Sequence, residues 1–420
     1  MPKPKQNKGP AGGRVEEGQG PEGPVEEAQV EEGPVEEAQA PKVPAQVIEV
    51  GVAALREVLD LVVPAVPRKT ALPVVQNVLL GDGQVVATDL DVAVAVALPQ
   101  AEGHVLLPPR EALEVLRYAP GHLTARITGE NGAVSIAVGG MESNFKVPDP
   151  EEFPRVAFGL PDQMEHQGVL EGDALVRAMT AVLPAAATES ERPVLNGVCL
   201  TLGDKVQVVA ADGYILSWEG VPGRLPGEGN LLLPAPAVRL LAHLWKRAAS
   251  PDLSAASSPA QLALAKRLIR LEWEKEKLQM RFGRVALLCK LTQGNFPDFN
   301  QLIPTEHMAS VTVDAGDMVR ALQQVKGRAK AGAGIVRFKW EGDSLQVSAR
   351  AEDVGDITVP LRVQSNDPGK TAMNITYLLA YFKDKEGSVT MTLAGTEGAP
   401  ITFTHRGTPH TLLMPMAVQW

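Results

Sequence analysis

Cysteine, aromatic side chains, long apolar runs and positive charge are all scarce in this chain of 420 residues. Its two cysteines, Cys199 and Cys289, each sit in an alternating apolar run, and neither has a CxxC-type neighbour. That pattern excludes a disulfide scaffold and a cysteine metal knuckle, and it fits small hydrophobes in strands of a reduced, cytoplasmic protein. Phe, Tyr and Trp together make up 4% of residues, so any core must be aliphatic. No apolar run reaches the roughly 18 residues that a membrane helix needs, so no membrane partner is expected. The opening MPKPKQNKGPAGG has no apolar stretch of the kind a secretory signal carries. The formal net charge of −10 argues against a protein that coats nucleic acid with its whole surface, but it leaves room for a local basic lining.

Catalytic material is thin as well. Seven histidines are scattered, and there is no glycine-rich loop to cradle a phosphate, so neither a cofactor nor a metal is expected. Asp89 and Asp91 form a DxD and Asp212 recurs at the matching place, which invites a metal or acid–base reading. No His, Cys or third carboxylate joins them at ligand spacing. An aspartate that ends a strand and hydrogen-bonds its own backbone is the better account.

What the chain does have is apolar content, 45% of residues, and length for roughly two to four domains. Residues 1–46 stand apart as a Pro, Gly, Glu, Gln and Ala segment in which GPVEEAQ occurs at Gly23–Gln29 and again at Gly33–Gln39. Nine Glu face five Lys or Arg there. A stretch of this composition buries too little apolar area to offset its ordering entropy, and it is expected to be a disordered acidic tail.

Beyond the tail one strand–turn–strand pattern is written three times. VLLGDGQVVATDL begins at Val78, VCLTLGDKVQVVAADG at Val198 and VRFKWEGDSLQVSARAED at Val336. Pro73 to Pro193 is a step of 120 residues, Val85 to Val208 one of 123 and Gln207 to Gln346 one of 139. Each copy is preceded by a helical pattern (VAALREVLDLVV from Val52, ALVRAMTAVL from Ala174, DMVRALQQV from Asp317) and then by basic residues, Arg68 and Lys69 in the first, Arg192 in the second, and Lys326, Arg328 and Lys330 in the third. A strand is read from Leu72 in LPVVQNVLL and from Pro193 in PVLNGVCLTL. Each copy continues into a second strand–helix unit, from His104, Asn230 and Ala372, with apolar spacing of three and four. Further strands follow at Ser135, Leu278 and Ser388. Repeats of this length are whole domains rather than solenoid units. The fold class is therefore α+β, with domains at 47–164, 165–304 and 305–420. An insertion at about 250–267 is expected to be a loop with a short helix.

RKTALPVVQNVLL with VVATDLD, RPVLNGVCL with VVAADG, NFPDFNQLIP and LLMPM, in that order, resemble the bacterial sliding clamp, the beta subunit of DNA polymerase III. The resemblance implies three tandem DNA-clamp domains that close as a head-to-tail homodimer, with helices lining a hole and antiparallel sheets outside. It implies a processivity factor that encircles double-stranded DNA without sequence specificity and carries out no covalent chemistry. Its partners would be a clamp loader, together with DNA polymerase and repair proteins that bind through short motifs.

A ring that slides needs phosphate attraction without base contacts. The repeated helices and the basic clusters that follow them offer Arg56, Arg110, Arg117, Arg177, Arg239, Lys246, Arg247, Arg320, Lys326, Arg328, Lys330 and Lys383. The resemblance singles out Arg68 and Lys69. A partner-peptide groove, carried over by motif, takes Leu195, Ala211, Gly213, Tyr214, Ile215, Leu216, Pro297, Gln301, Leu302, Leu412, Leu413, Met414, Pro415 and Met416. Apolar walls suit Leu and Phe anchors, and thioether chains can re-pack around different ligands.

The chain departs from the family at three points. Tyr214 and Ile215 stand where clamps commonly have His-Arg, Gln301 where a basic residue is frequent, and AVQW follows Met416. A less cationic groove is expected, one that prefers less acidic motifs, with Trp420 covering part of it. The rival readings are an enzyme built on the DxD and a β-rich tandem-repeat binding protein that does not encircle DNA.

Overall fold

In the computed structural model the described residues are 45–130, 132–155, 164–188, 191–248, 268–396, 398–406 and 409–420. Residues 1–44 of the expected disordered tail and the expected 250–267 insertion lie outside them, while Gln46, expected to end the tail, opens the first strand.

The chain traverses β1 (Gln46–Gly51), α1 (Val52–Val62), β2 (Val78–Gly81), β3 (Gln84–Thr88), β4 (Val92–Ala97), β5 (His104–Leu107), α2 (Pro109–Leu116), β6 (Thr124–Glu130), β7 (Ala133–Val138) and β8 (Met141–Lys146). It then runs through β9 (His166–Glu171), α3 (Gly172–Val182), β10 (Gly197–Gly203), β11 (Gln207–Ala211), β12 (Ile215–Gly220), β13 (Leu225–Pro234), α4 (Ala235–Ala248), β14 (Leu268–Trp273), β15 (Lys277–Phe282) and β16 (Val285–Lys290). The last stretch holds β17 (His307–Asp314), α5 (Ala315–Ala331), β18 (Ile335–Glu341), β19 (Ser344–Ala351), β20 (Gly355–Arg362), β21 (Gln364–Ser365), β22 (Gly369–Asn374), α6 (Ile375–Phe382), β23 (Ser388–Ala394), β24 (Ile401–His405) and β25 (His410–Leu413).

Local chemistry explains most boundaries. In α1 the buried residues Val52, Leu55, Val58, Leu59 and Val62 recur at helical spacing, so one stripe faces the core. Glu171 caps α3 by accepting from the Asp173 and Ala174 amides, Asp314 caps α5, and Asn374 caps α6. The Trp245 indole donates to Asp173 at 2.9 Å and ties α4 to α3. Asp89 Oδ1 accepts from the amides of Asp91 and Val92, and Asp212 Oδ1 from those of Tyr214 and Ile215, at 2.7–3.0 Å. Both carboxylates therefore serve as strand-end turns, as the DxD was read.

Two strands start later than expected. Pro73–Gln76 and Pro193–Leu195 are single 3₁₀ turns, and pairing begins at Val78 and Gly197. Proline fixes its own φ and has no N–H for a ladder, so it opens a turn instead.

All strand pairs are antiparallel and form four sheets, ordered β1-β6-β7-β8, β5-β2-β3-β4-β16-β15-β14-β9, β13-β10-β11-β12-β25-β24-β23-β17-β21 and β20-β19-β18-β22. The two long sheets are each stitched at one seam. β4 meets β16 with Val94 opposite Leu287, and β12 meets β25 with Leu216 opposite Leu412. Helices pack in pairs, α1 with α2, α3 with α4 and α5 with α6, and α1 also touches α4. The aliphatic core runs beneath them, with Leu55, Leu80, Leu175, Leu241, Leu322 and Val347 fully buried. No helix among the described residues is long and apolar enough to cross a membrane.

Candidate functional site: a basic helix set and an apolar seam

The fourteen candidate cations divide by what they touch. Arg56 and Arg110 are half-buried and spend their guanidinium groups on backbone. Arg56 donates to the carbonyls of Leu116 and Ala119 at the end of α2, and Arg110 to that of Val66 at 2.7 Å. Those carbonyls are the orphans every helix end and turn leaves behind, so these two arginines brace α1 against α2. Arg177 lies 3.9 Å from Glu219, and Arg320 is paired with Asp317 one helical turn away.

The rest are open to solvent or half-buried, with no ion pair among the described residues. Arg68 and Lys69 are exposed on the loop after α1, and Arg117 lies 5.5 Å over the ring of Tyr118, a side chain 84% exposed. Arg239, Lys246 and Arg247 are exposed along α4. Lys326, Arg328 and Lys330 belong to the last turns of α5, where the helix dipole favours cations. That helix runs to Ala331, so the third basic cluster is helical while Arg68 and Lys69 lie in a loop. Lys383 is exposed just past α6.

The apolar candidates meet at the β12–β25 seam. Leu195, Ala211, Leu216 and Leu412 are buried in one cluster with Phe296, Phe299 and Trp218, separate from the main core. Around it Tyr214 (64% exposed), Leu302 (47%) and Met414 (38%) present large apolar side chains to solvent. Pro297 and Gly213 are also exposed. Gly213 has φ of +98°. That conformation lets the chain turn back into β12 at the Asp212 cap, and a side chain there would be strained. The Met414 amide donates to the Tyr214 carbonyl at 2.8 Å and the Met416 amide to the Ala372 carbonyl at 2.7 Å, so Met414, Pro415 and Met416 are pinned across the seam.

Two expected members face the wrong way. Ile215 and Leu413 are paired with each other and buried in the main core. Strand side chains alternate faces, so the neighbours Leu216 and Leu412 reach the Leu195–Phe296 cluster while these two turn to the opposite face of the sheet. Gln301 is committed to Asp298 at 2.9 Å, and the donated hydrogen bonds of Gln301 and Asn300 hold the Asp298 carboxyl below its ordinary range. Trp420 does not cover the cluster. Its ring lies 5.1 Å from Lys370 Nζ, beside β22.

Tyr377 was missed. It lies on α6, with its ring 6.1 Å from that of Tyr214 and its phenol close enough to Asp212 to feel its charge. Burial together with the negative charge of Asp212 pushes its phenol well above the usual range. Nothing in the sequence near Tyr377 marks it, because its partners are more than 160 residues away.

A family description, the central domain of the DNA polymerase III beta subunit, matches residues 169–298. A beta sliding clamp of Caulobacter vibrioides is 24% identical over 342 residues, covering 78% of this chain and 87% of that one. One of Synechococcus elongatus is 23% identical over 338 residues, covering 76% and 85%. Among solved structures, the DNA polymerase III subunit beta of Pseudomonas aeruginosa superposes with a TM-score of 0.76 at 20% identity, covering 89% of this chain and all of that one. A sliding clamp of Bartonella birtlesii bound to griselimycin gives 0.75 at 22%, with the same coverage. The resemblance carried by the sequence motifs therefore stands, and the fold is the clamp fold.

Proposed function

We infer that this chain is a sliding clamp of the DNA polymerase III beta kind, a non-catalytic processivity factor that encircles duplex DNA and tethers polymerases and other partners. One observation carries the reading, the recurrence of the seams. The order strand, helix, meander, strand, helix, meander is followed from β1 to β8, again from β9 to β16, and again from β17 to β25 with one short extra strand. We take these as three domains.

In the first seam the third meander strand of one domain, β4, joins the last strand of the next, β16. In the second, β12 joins β25 in the same way. The corresponding strand of the third domain is β20, and the corresponding last strand of the first is β8. Each is a free edge at the end of a four-stranded sheet. Such edges are templates for another strand. β20 of one copy would pair with β8 of a second copy, and a head-to-tail contact used twice closes a ring of six domains.

The register follows from the two seams already formed. Gln84 and Gln346 are equivalent and pair with Ala97 and Pro360, so β4 residues 92–96 correspond to β20 residues 355–359. The hairpins closing at Phe282–Val285 and Val138–Met141 align β16 with β8. Val94 opposite Leu287 then becomes Ile357 opposite Ser143 of the second copy, and Val92 opposite Cys289 becomes Gly355 opposite Phe145. Ile357, Val359, Phe145 and Val147 already pack half-buried on their own cores, as the inward face of such a seam requires.

Inside the ring the exposed cations without an ion pair among the described residues, led by Arg68, Lys69, Arg239, Lys246 and Arg247, would meet phosphates. The acidic balance elsewhere would keep DNA off the outer wall. Arg56 and Arg110, committed to carbonyls, would contribute to helix packing instead. A clamp loader would open the ring, and partner peptides would dock on the apolar seam.

Topology supplies the test. Rings on a nicked circular plasmid are expected to stay bound through a wash at about 1 M salt, where phosphate contacts are screened, and to run off once the plasmid is cut. Release at high salt from circle and line alike would reduce the protein to an ordinary DNA binder.

A further inference from the structure

We propose that the free edge of β22 is a second docking track, which takes an extended acidic segment of a partner protein by strand addition, next to the apolar seam. The inference rests on the groove reading only in supposing that the partner arrives across Met414–Met416.

Strand β22 pairs with β18 on one side and, among the described residues, has no strand on the other. The Ala372 carbonyl points to that open side, because it accepts from the Met416 amide at 2.7 Å. In an antiparallel ladder alternate residues direct both backbone groups the same way. The Ala372 N–H and both backbone groups of Lys370 therefore face outward too, and among the described residues neither residue makes another backbone bond on that side. They open onto a cavity of about 750 Å³ bounded by Lys339, Lys370, Met308, Leu393, Met416 and Trp420. Pro415 and Met416 end the apolar seam and begin this cavity, so the two run into one another.

The charges at its mouth point to an acidic occupant. Lys339 and Lys370 are directly opposed across β18 and β22. Like charges so placed repel unless an anion lies between them. Neither ammonium lies within ion-pair distance of a carboxylate among the described residues, although Glu341 shares the cavity wall. Lys370 instead rests on the Trp420 ring. An incoming strand with carboxylates at alternate positions would neutralise the pair and take up the unpaired Lys370 groups and the Ala372 N–H, with the Trp420 ring moving aside.

The experiment uses fluorescent peptides against the full chain. One carries Leu and Phe anchors alone. A second adds six residues alternating Asp and Val, and two more are the second with backbone N-methyl groups at odd or at even positions of the extension. The extension is expected to tighten binding about tenfold, the worth of two or three net backbone bonds. Methylation at one parity should erase the gain, methylation at the other should keep it, and Lys339→Ala/Lys370→Ala should erase it. A gain that is absent, survives both methylated forms or survives the lysine changes overturns the track. Hydrogen exchange at residues 369–374 separates the two readings. Protection there by the extended peptide, with no binding of the anchor peptide, would count against the groove and for the track. Binding of the anchor peptide with no protection there would do the reverse.

Discussion

Changing Phe145 or Ile357 to Asp is expected to turn a dimer into folded monomers that no longer stay on circular DNA. Both side chains are half-buried at the free edges of β8 and β20, against the core of their own domain. In the proposed seam each would be covered from the far side as well, in the manner of Cys289 and Val94, which are fully buried in the seam between β4 and β16. A carboxylate there would lose its water and gain no partner. A loss of about 3–4 kcal/mol at each of two seams corresponds to a few-hundred-fold weakening per seam. Sedimentation velocity checks it, with far-ultraviolet circular dichroism to show that the chain remains folded. A Phe145→Asp chain that still sediments as a dimer would place the interface elsewhere.

Partner docking should collapse with equal clarity when charge is put on the apolar seam. Leu302 and Met414 are exposed beside the Leu195–Phe296–Leu412 cluster, so their removal leaves the core intact. An interface anchor is worth about 2–4 kcal/mol when truncated, because it fills a desolvated pocket. Leu302→Asp combined with Met414→Asp is expected to weaken an anchor peptide by on the order of a hundredfold. The melting temperature should move by no more than the few degrees that surface changes cause. Fluorescence anisotropy measures the first and calorimetry the second. Unaltered affinity would remove this surface from the account, and retention on circular DNA would survive in either case.

The reason so much was readable lies in repetition. Asp89 and Asp212 were legible as turns because a carboxylate three residues before a strand satisfies amides locally, and local chemistry is written in local sequence. The helices from Val52, Ala174 and Asp317 were legible from their apolar stripes. What escaped needed long-range partners. Ile215 and Leu413 were placed in the groove because a motif carries all its residues over together, whereas the pleat sends alternate ones to the other face. Arg56 looked like a surface cation until α2 folded back and presented the Leu116 and Ala119 carbonyls. Tyr377 became visible only when the β12–β25 seam brought α6 to Asp212.

Closure itself can be trapped. Burial pushes the native thiols Cys199 and Cys289 up to about 12, so they will not compete in an oxidation. A chain carrying Ser143→Cys and Ile357→Cys, mixed with a nicked circular plasmid and then oxidised, is expected to form a covalent ring. That ring should stay threaded on the plasmid through detergent and heat and come free on reduction or on cutting the DNA. The pair shifted by one residue, Ser143→Cys with Thr358→Cys, should not lock. Locked protein that washes off an intact circle in detergent, or a pair at 143 and 357 that never crosslinks, would contradict encirclement through this seam.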